Sequence, residues 1–237
     1  MDITIVGAGR AGTSFFGALT NAGHRVRLVH HDELDRRDGA ELLLLTVPDD
    51  EVAETATRLE PRPDRVVAHA AGSLTLSVLA PHPRVASLHP LVPLPSGELG
   101  ARRLVGATYC VAGDEMIVEV ARSLGGRVIT LRDDQRTAYH ATAVVAANHL
   151  VALMGHVARL AEEAGLSLED FLPLARQALA DVAEFGPHDA LTGPASRGDM
   201  VTIDAHLAAI PESERSTYVA LANVAFELAE ERRTSIN

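Results

Sequence analysis

Gly7-Ala8-Gly9-Arg10-Ala11-Gly12 is the stretch whose residue types and spacing point most directly to chemistry. Ile3 to Val6 is a short β-branched run that reads as a buried strand. Thr13 to Ala22, with Phe15, Phe16 and Leu19 apolar, reads as a helix. Strand, G-x-G-x-x-G turn and helix together form a cradle for a dinucleotide. Gly7 permits the tight turn, Gly9 lets backbone approach a pyrophosphate, and Gly12 lets helix and strand pack closely. The helix end adds unpaired N–H groups and a positive dipole end facing the phosphates. An ordinary glycine-rich turn is the alternative; the flanking strand and helix favour the nucleotide.

The second strand, Arg25 to Val29, ends at His30-His31, followed by Asp32 and then Arg36 and Arg37. An acid at this point binds the 2′-hydroxyl of NAD, whereas basic or neutral groups accommodate the 2′-phosphate of NADP. Asp32 fits the NAD acid by its distance from Gly12. His30 holds that place by its distance from the strand end, and two histidines with two arginines favour NADP, NAD being the alternative. Adjacent histidines diverge and have no partner ligands nearby, so no metal is expected. Further along, the backbone of Thr46, Val47 and Pro48 is expected to line the cofactor, with Asp49 or Asp50 capping a helix. Ser73 is either a helix N-cap or a polar group beside the nicotinamide.

Reducing a C=O or C=N requires a hydride donor, a proton donor and a hold on the substrate. His140, Val144 and Asn148 fall at i, i+4 and i+8 of a long helical pattern, hence on one face. His140 is the candidate proton donor because imidazole titrates near working pH; a structural histidine is the plainer alternative. Asn148 would hydrogen-bond the reacting carbonyl or the nicotinamide amide. In the loop Leu191-Thr192-Gly193-Pro194-Ala195-Ser196-Arg197-Gly198-Asp199, the Arg197 fork suits a substrate carboxylate or a cofactor phosphate. Asp199 either caps the following helix or orients Arg197. His89, before Pro90, is grouped with Arg197 and Asp199 as substrate-binding.

The elements that must position these groups follow a simple pattern. Leu42 to Val47 is a continuous apolar run, the signature of a strand buried on both faces of a parallel sheet. Only a vestigial helix fits between it and the second strand. Strands and helices alternate to about residue 132, and nothing later reads as a strand. This predicts a doubly wound, mainly parallel α/β domain over 1–133 and an all-α domain over 134–237. So small a helical core is expected to be completed by a second copy of the chain, giving a homodimer.

Composition sets the surroundings. Net charge is −11 without a basic run, which argues against nucleic acid and anionic membranes. The longest apolar stretch, Ala141 to Leu153, contains Asn148 and His149 and is too short to span a bilayer. The lone Cys110, read as a small buried apolar residue, and the lack of a basic leader fit a cytoplasmic protein. All 21 basic residues are arginine, and lysine is absent.

The order GAGRAG, LLTVPDD, HAAGSL, SLHPL, YHATAVVAANHLVAL and LTGPASRGD resembles a group of Rossmann-like proteins with a helical C-terminal domain of unknown function. That group is similar to ketopantoate reductases, pyrroline-carboxylate reductases and 6-phosphogluconate dehydrogenase-like enzymes. The resemblance implies an NAD(P)-dependent reductase, a helical dimerisation domain and an active site between the domains. It also highlights Arg197. Related hydroxyacid dehydrogenases carry a catalytic lysine four residues before an asparagine on this helix. Asn148 matches the asparagine, but Val144 stands where the lysine would be, so the lysine mechanism does not carry over. The expected activity is NADP-dependent reduction of a small 2-keto acid, ketopantoate first. The alternatives are a cyclic imine reductase and a non-catalytic dinucleotide-binding or sensing protein.

Overall fold

The computed structural model describes residues 1–33, 35 and 38–235. It divides into two compact units, Met1–Ala147 and Asn148–Asn237. The sequence boundary after Asp133 differs because the start of the long helix belongs to the first unit. Arg136 there is buried, ion-paired to Asp133 and hydrogen-bonded to Ser87.

The first unit is a seven-stranded sheet in the order β2-β1-β3-β4-β5-β6-β7. Its strands are β1 (Asp2–Val6), β2 (Arg25–Val29), β3 (Leu42–Leu45), β4 (Val66–His69), β5 (Val85–Pro90), β6 (Thr108–Gly113) and β7 (Arg127–Thr130). All neighbours are parallel except β5 and β6. Its helices are α1 (Arg10–Asn21), α2 (Val52–Thr57), α3 (Gly97–Leu104), α4 (Met116–Ser123) and α5 (Arg136–Val144). Side-chain alternation sorts the strands' faces. Ile3, Ile5, Leu42, Leu44, Val66, Ala68, Ala86 and Leu88 pack with α1, α3 and α4 in one core. Val6, Leu43, Leu45 and Val67 pack with α2 in another. The sheet is thus covered on both faces, as the fully apolar β3 requires.

Two local departures from the sequence reading have physical causes. Helix α3 is unanticipated because its glycines read as breakers. They serve close packing instead: a Cβ on Gly100 would lie 1.9 Å from Ser14 Oγ on α1. The segment after Ser73 closes as a 3-10 turn, Leu76–Leu79, rather than a helix. Between β2 and β3 the described residues contain no helix. The buried Asp38 carboxylate ties this segment to the sheet, accepting from Thr4 Oγ1 at 3.2 Å, from Ala40 N–H at 2.8 Å and from Arg27. Buried Arg65 donates to the Asp38 carbonyl at 2.9 Å.

Among the described residues the second unit contains helices only: α6 (Leu150–Glu163), α7 (Leu168–Ala190), α8 (Pro194–Arg197), α9 (Met200–Ala209) and α10 (Glu212–Ser235). Helix α7 breaks at Gly186 (φ 79°), just ahead of Pro187. Helices α6 and α10 are tied by Glu214, which accepts from Arg159 at 2.7 Å and lies 2.6 Å from His156 Nδ1. Few apolar side chains of this unit are buried, among them Ala161, Ala195, Ile203 and Ala229. By contrast Val151, Leu174 and Val201 are 72%, 69% and 82% exposed.

A π-helical turn, Val145–His149, joins α5 to α6. The helical run 133–163 is therefore continuous, and by length and composition it is long and apolar enough to cross a membrane, with a mean hydropathy of 1.5. The sequence stretch Ala141 to Leu153 understates this run, because the helix continues past it at both ends.

Candidate functional site: a glycine turn and a histidine pair on one sheet edge

The chain reverses its direction across the sheet between β1 and β3, and open α/β sheets bind ligands outside the carboxyl ends of strands at such a point. Two loops meet there. In the first, Gly7 has φ 110° and Gly12 sits so close that a Cβ would lie 1.8 Å from Gly7 O. Gly9 differs: it is exposed, and a Cβ built on it would meet nothing within 4 Å. Gly7 and Gly12 thus make the tight turn and the close helix–strand contact that the motif predicts, and Gly9 leaves open space beside them. The first intrahelical bond of α1 runs from Thr13 N–H to Gly9 O at 3.0 Å, so the amides of Arg10, Ala11 and Gly12 remain at an open helix end. No acidic residue occupies that first turn. Ala8 is half-buried and Arg10 exposed.

In the second loop the Thr46 hydroxyl lies 2.8 Å from Gly7 O and 3.0 Å from Val6 O. The hydroxyl therefore braces the glycine turn, and Val47 is packed into the apolar core. Pro48, next in the loop, is exposed. Asp49 does not cap its helix; its carboxylate accepts from Ser73 Oγ at 3.0 Å and ties the loops after β3 and β4 together. Ser73 is accordingly not an N-cap. His30 and His31 are exposed just past β2. Arg36 and Arg37 lie outside the described residues.

Beside these loops the same edge carries a polar cluster built by strand alternation. His69 ends β4, Ser87 and His89 alternate on β5, and Cys110 lies on β6; His69 pairs with Ser87 and His89 with Cys110 across the sheet. Their even-spaced neighbours Ala68, Ala86, Leu88, Tyr109 and Val111 all face the other core. One face of these strand ends is therefore polar, and the first turns of α5 cover it with Arg136, Tyr139 and His140.

The cluster is tightly coupled. His89 Nδ1 lies 2.5 Å from Tyr139 Oη. The His89 and His140 rings meet edge to face at 6.2 Å. Both imidazoles close over Gly72, whose missing Cβ would stand 2.7 Å from His140 Cδ2 and 2.9 Å from His89 Nε2. Burial, then the neighbouring His140, holds His89 down at about 4, so its ring is neutral at pH 7. His69 is held at about 4 by burial and then by Arg136. Burial and the adjoining Cys110 raise Tyr139, keeping it protonated; burial raises Cys110 as well. Arg136 is 1% exposed, with Nη1 unpaired among the described residues, as are both His69 ring nitrogens.

The remaining expected site residues belong to the second unit. Asn148 is exposed and lies inside the π turn, so the uniform i, i+4, i+8 register assumed for His140 and Asn148 does not hold along this helix. Arg197 ends α8, exposed and without an ion pair among the described residues. Asp199 caps α9, accepting from Thr202 N–H at 3.1 Å and Thr202 Oγ1 at 2.7 Å. Of its two expected alternatives, capping is the one observed, because both carboxylate oxygens are engaged by Thr202. The sequence reading overlooked Tyr139, Arg136, His69 and Gly72. For His69 the signal was a polar residue closing the apolar strand Val66-Val67-Ala68; the other three lie off the strands, where no periodicity marks them.

A doubly wound, mostly parallel sheet, a glycine turn at the β1–β3 reversal and a helical second unit define a Rossmann-like α/β fold. The chain belongs to the family described as a domain of unknown function, DUF2520, whose model matches residues 107–225. No curated protein matches the sequence. A Bacteroides fragilis protein, provisionally described as an NADP oxidoreductase, is 23% identical with TM-score 0.78, covering 95% of this chain and 98% of its own. An Aspergillus terreus reductive aminase in complex with NADPH and ethyl levulinate is 16% identical with TM-score 0.68 (97% and 94% covered). A Plasmodium falciparum pyrroline carboxylate reductase with NADP bound is 11% identical with TM-score 0.63 (99% and 97% covered). At these identities the likeness establishes the fold.

Proposed function

We propose that the chain is an NADPH-dependent reductase of a small 2-keto acid, with ketopantoate the first substrate to test. One observation carries this reading: the open glycine turn and the His89–His140 pair over Gly72 lie on the same carboxyl edge of one sheet. The exposed Gly9 and the unpaired first-turn amides of α1 fit a pyrophosphate. The exposed His30 and His31, which directly follow β2 ahead of Asp32, fit a 2′-phosphate. When bound, a reduced nicotinamide supplies the hydride. The chain's own residues hold the nucleotide backbone, keep water from a half-buried imidazole pair and present a polar hydrogen to the substrate oxygen. Arg197 is assigned to the substrate carboxylate and Asn148 to the carbonyl or carboxamide, as the resemblance implies. The buried single thiol fits the cytoplasm's reducing conditions.

The second unit's exposed apolar side chains support a homodimer formed through the helices, since so few of them are buried within one chain. The same helical run carries Asn148, His149, His156 and Arg159 along its length, which suits a protein-covered helix better than lipid. A cyclic imine substrate is the second reading, favoured by the imine- and pyrroline-reducing names among the structural neighbours. An iminium already carries its proton and makes fewer demands on an acid. The test is nucleotide oxidation with NADPH and NADH against ketopantoate and a cyclic imine. Turnover of ketopantoate with NADPH supports the reading, and turnover of the imine alone selects the second. Nucleotide binding without turnover of either substrate points to a sensor, and binding of neither nucleotide overturns the proposal.

A further inference from the structure

We propose that Tyr139 is a positioning residue that fixes His89 in its Nε2–H tautomer, making His89 Nε2 the proton donor of the reduction. This deepens the reductase reading and rests on it. The argument is one of hydrogen counting. At 2.5 Å only a single hydrogen fits between His89 Nδ1 and Tyr139 Oη. A neutral imidazole carries one N–H and a protonated phenol one O–H, so two directions are open. Either Nδ1–H donates to the phenol oxygen, which must then turn its own hydrogen to another acceptor, or the phenol donates to Nδ1. The neighbouring Cys110 thiol is the other group at the hydroxyl, and sulfur is a weak acceptor compared with an imidazole nitrogen. The phenol therefore donates to Nδ1, and the ring's hydrogen sits on Nε2. That nitrogen looks over the α-carbon of Gly72, where no side chain intervenes.

His140 is the less suited of the two imidazoles. No hydrogen bond to a described residue fixes its tautomer, whereas His89 is held by a strand on one side and by Tyr139 on the other. The groups facing the His89–Tyr139 pair are His140 and Arg136 from α5, Cys110 from β6, and Asp49 at longer range from the loop after β3.

The step balances as follows. A bound dihydronicotinamide would supply the hydride to the carbonyl carbon, and the carbonyl π pair would then move onto oxygen. That oxygen takes the proton from Nε2. The Tyr139 O–H proton passes to Nδ1, so the ring ends as the other neutral tautomer and never becomes an imidazolate. The negative charge comes to rest on the Tyr139 oxygen, near the buried Arg136 guanidinium, which is present before the reaction and needs no rearrangement to stabilise it. A solvent proton then restores the phenol and the ring.

The test reads the ring directly. Nitrogen-15 NMR of the ligand-free full chain, with His89 assigned by substitution, distinguishes the two neutral tautomers. The expected result is Nε2–H in wild type, retained in His140→Gln and lost to a tautomer mixture in Tyr139→Phe. In turnover, Tyr139→Phe should lower kcat by about 10- to 100-fold with KM within about twofold and nucleotide affinity unchanged. A wild-type ring in the Nδ1–H form, or a Tyr139→Phe variant that keeps both tautomer and kcat, overturns the proposal. If the wild type binds no nucleotide, the reductase reading fails on that separate measurement while the ring measurement still decides the tautomer.

Discussion

Gly9 and Gly12 belong to one motif, yet the structure assigns them opposite sensitivities. An alanine at Gly12 would place Cβ 1.8 Å from Gly7 O and 2.8 Å from Thr46 Oγ1. The first of these is a backbone atom held in the β1 turn, so the cost exceeds about 3 kcal/mol, the upper range for overpacking that a core can relax. An alanine at Gly9 meets nothing within 4 Å, and its φ of −75° and ψ of −165° suit any residue. Its stability cost should stay under about 1 kcal/mol, the scale of an N-cap exchange. The same methyl projects into the space where a pyrophosphate would approach. A steric penalty of about 1–3 kcal/mol there weakens NADPH binding by about 5- to 140-fold. Urea unfolding and a fluorescence titration with NADPH separate the two effects. Gly12→Ala should unfold early, whereas Gly9→Ala should unfold like wild type and bind poorly. A folded Gly9→Ala that binds NADPH with wild-type affinity would refute the reasoning, as would a Gly12→Ala of wild-type stability.

Gly72→Ala should lower stability by about 1–3 kcal/mol through collision with His140 and His89, and His140→Ala in the same chain should recover part of it in a double-mutant cycle. For His69 and His89, a folded value of about 4 against an ordinary 6.5 means the unfolded chain binds more protons between those values; stability of the first unit should fall as pH drops from about 6.5 to about 4. Glu214, held at about 2 by Arg159 and then His156 against an ordinary 4.5, supports the second unit above about 4.5 and releases it as pH falls towards 2. Hydrogen exchange read by mass spectrometry should therefore show the first unit opening at the milder acidity, and Glu214→Gln should abolish the lower window only. Phe185→Glu with Val201→Glu should shift sedimentation from dimer to monomer if the exposed helical faces are covered by a second copy; unchanged sedimentation of a wild-type dimer would place the interface elsewhere.

Much of the architecture was legible because it rests on periodicity. The continuous Leu42-Leu43-Leu44-Leu45 announced a strand buried on both faces, and GAGRAG announced the turn before it was seen. The roles of Gly7 and Gly12 followed for a similar reason: each is dictated by a short-range backbone contact. The site was legible only in part. His89 and His140 were singled out, but nothing local to His140 indicates that it meets His89 over Gly72, since that meeting depends on β4, β5 and α5 converging. Nothing local marks Arg136, because burial of a charge depends on Ser87 and Asp133 arriving to receive it. The His140–Asn148 face relation failed for a different reason. It assumes 3.6 residues per turn throughout, and no residue type in Val145–His149 marks the wider turn.

The way the segment between β2 and β3 is fastened has a consequence for how this protein can change. Where a helix would rest on interchangeable apolar side chains, the buried Asp38 is anchored here by Thr4, Arg27 and Arg65, each through a particular atom. Apolar packing accepts many residues of similar volume, whereas removing one member of a buried charged network strands the others. Mutational tolerance should therefore be distributed unevenly over the first unit. In a saturation library, Leu43 and Val67 should accept several aliphatic replacements, and Asp38 almost none.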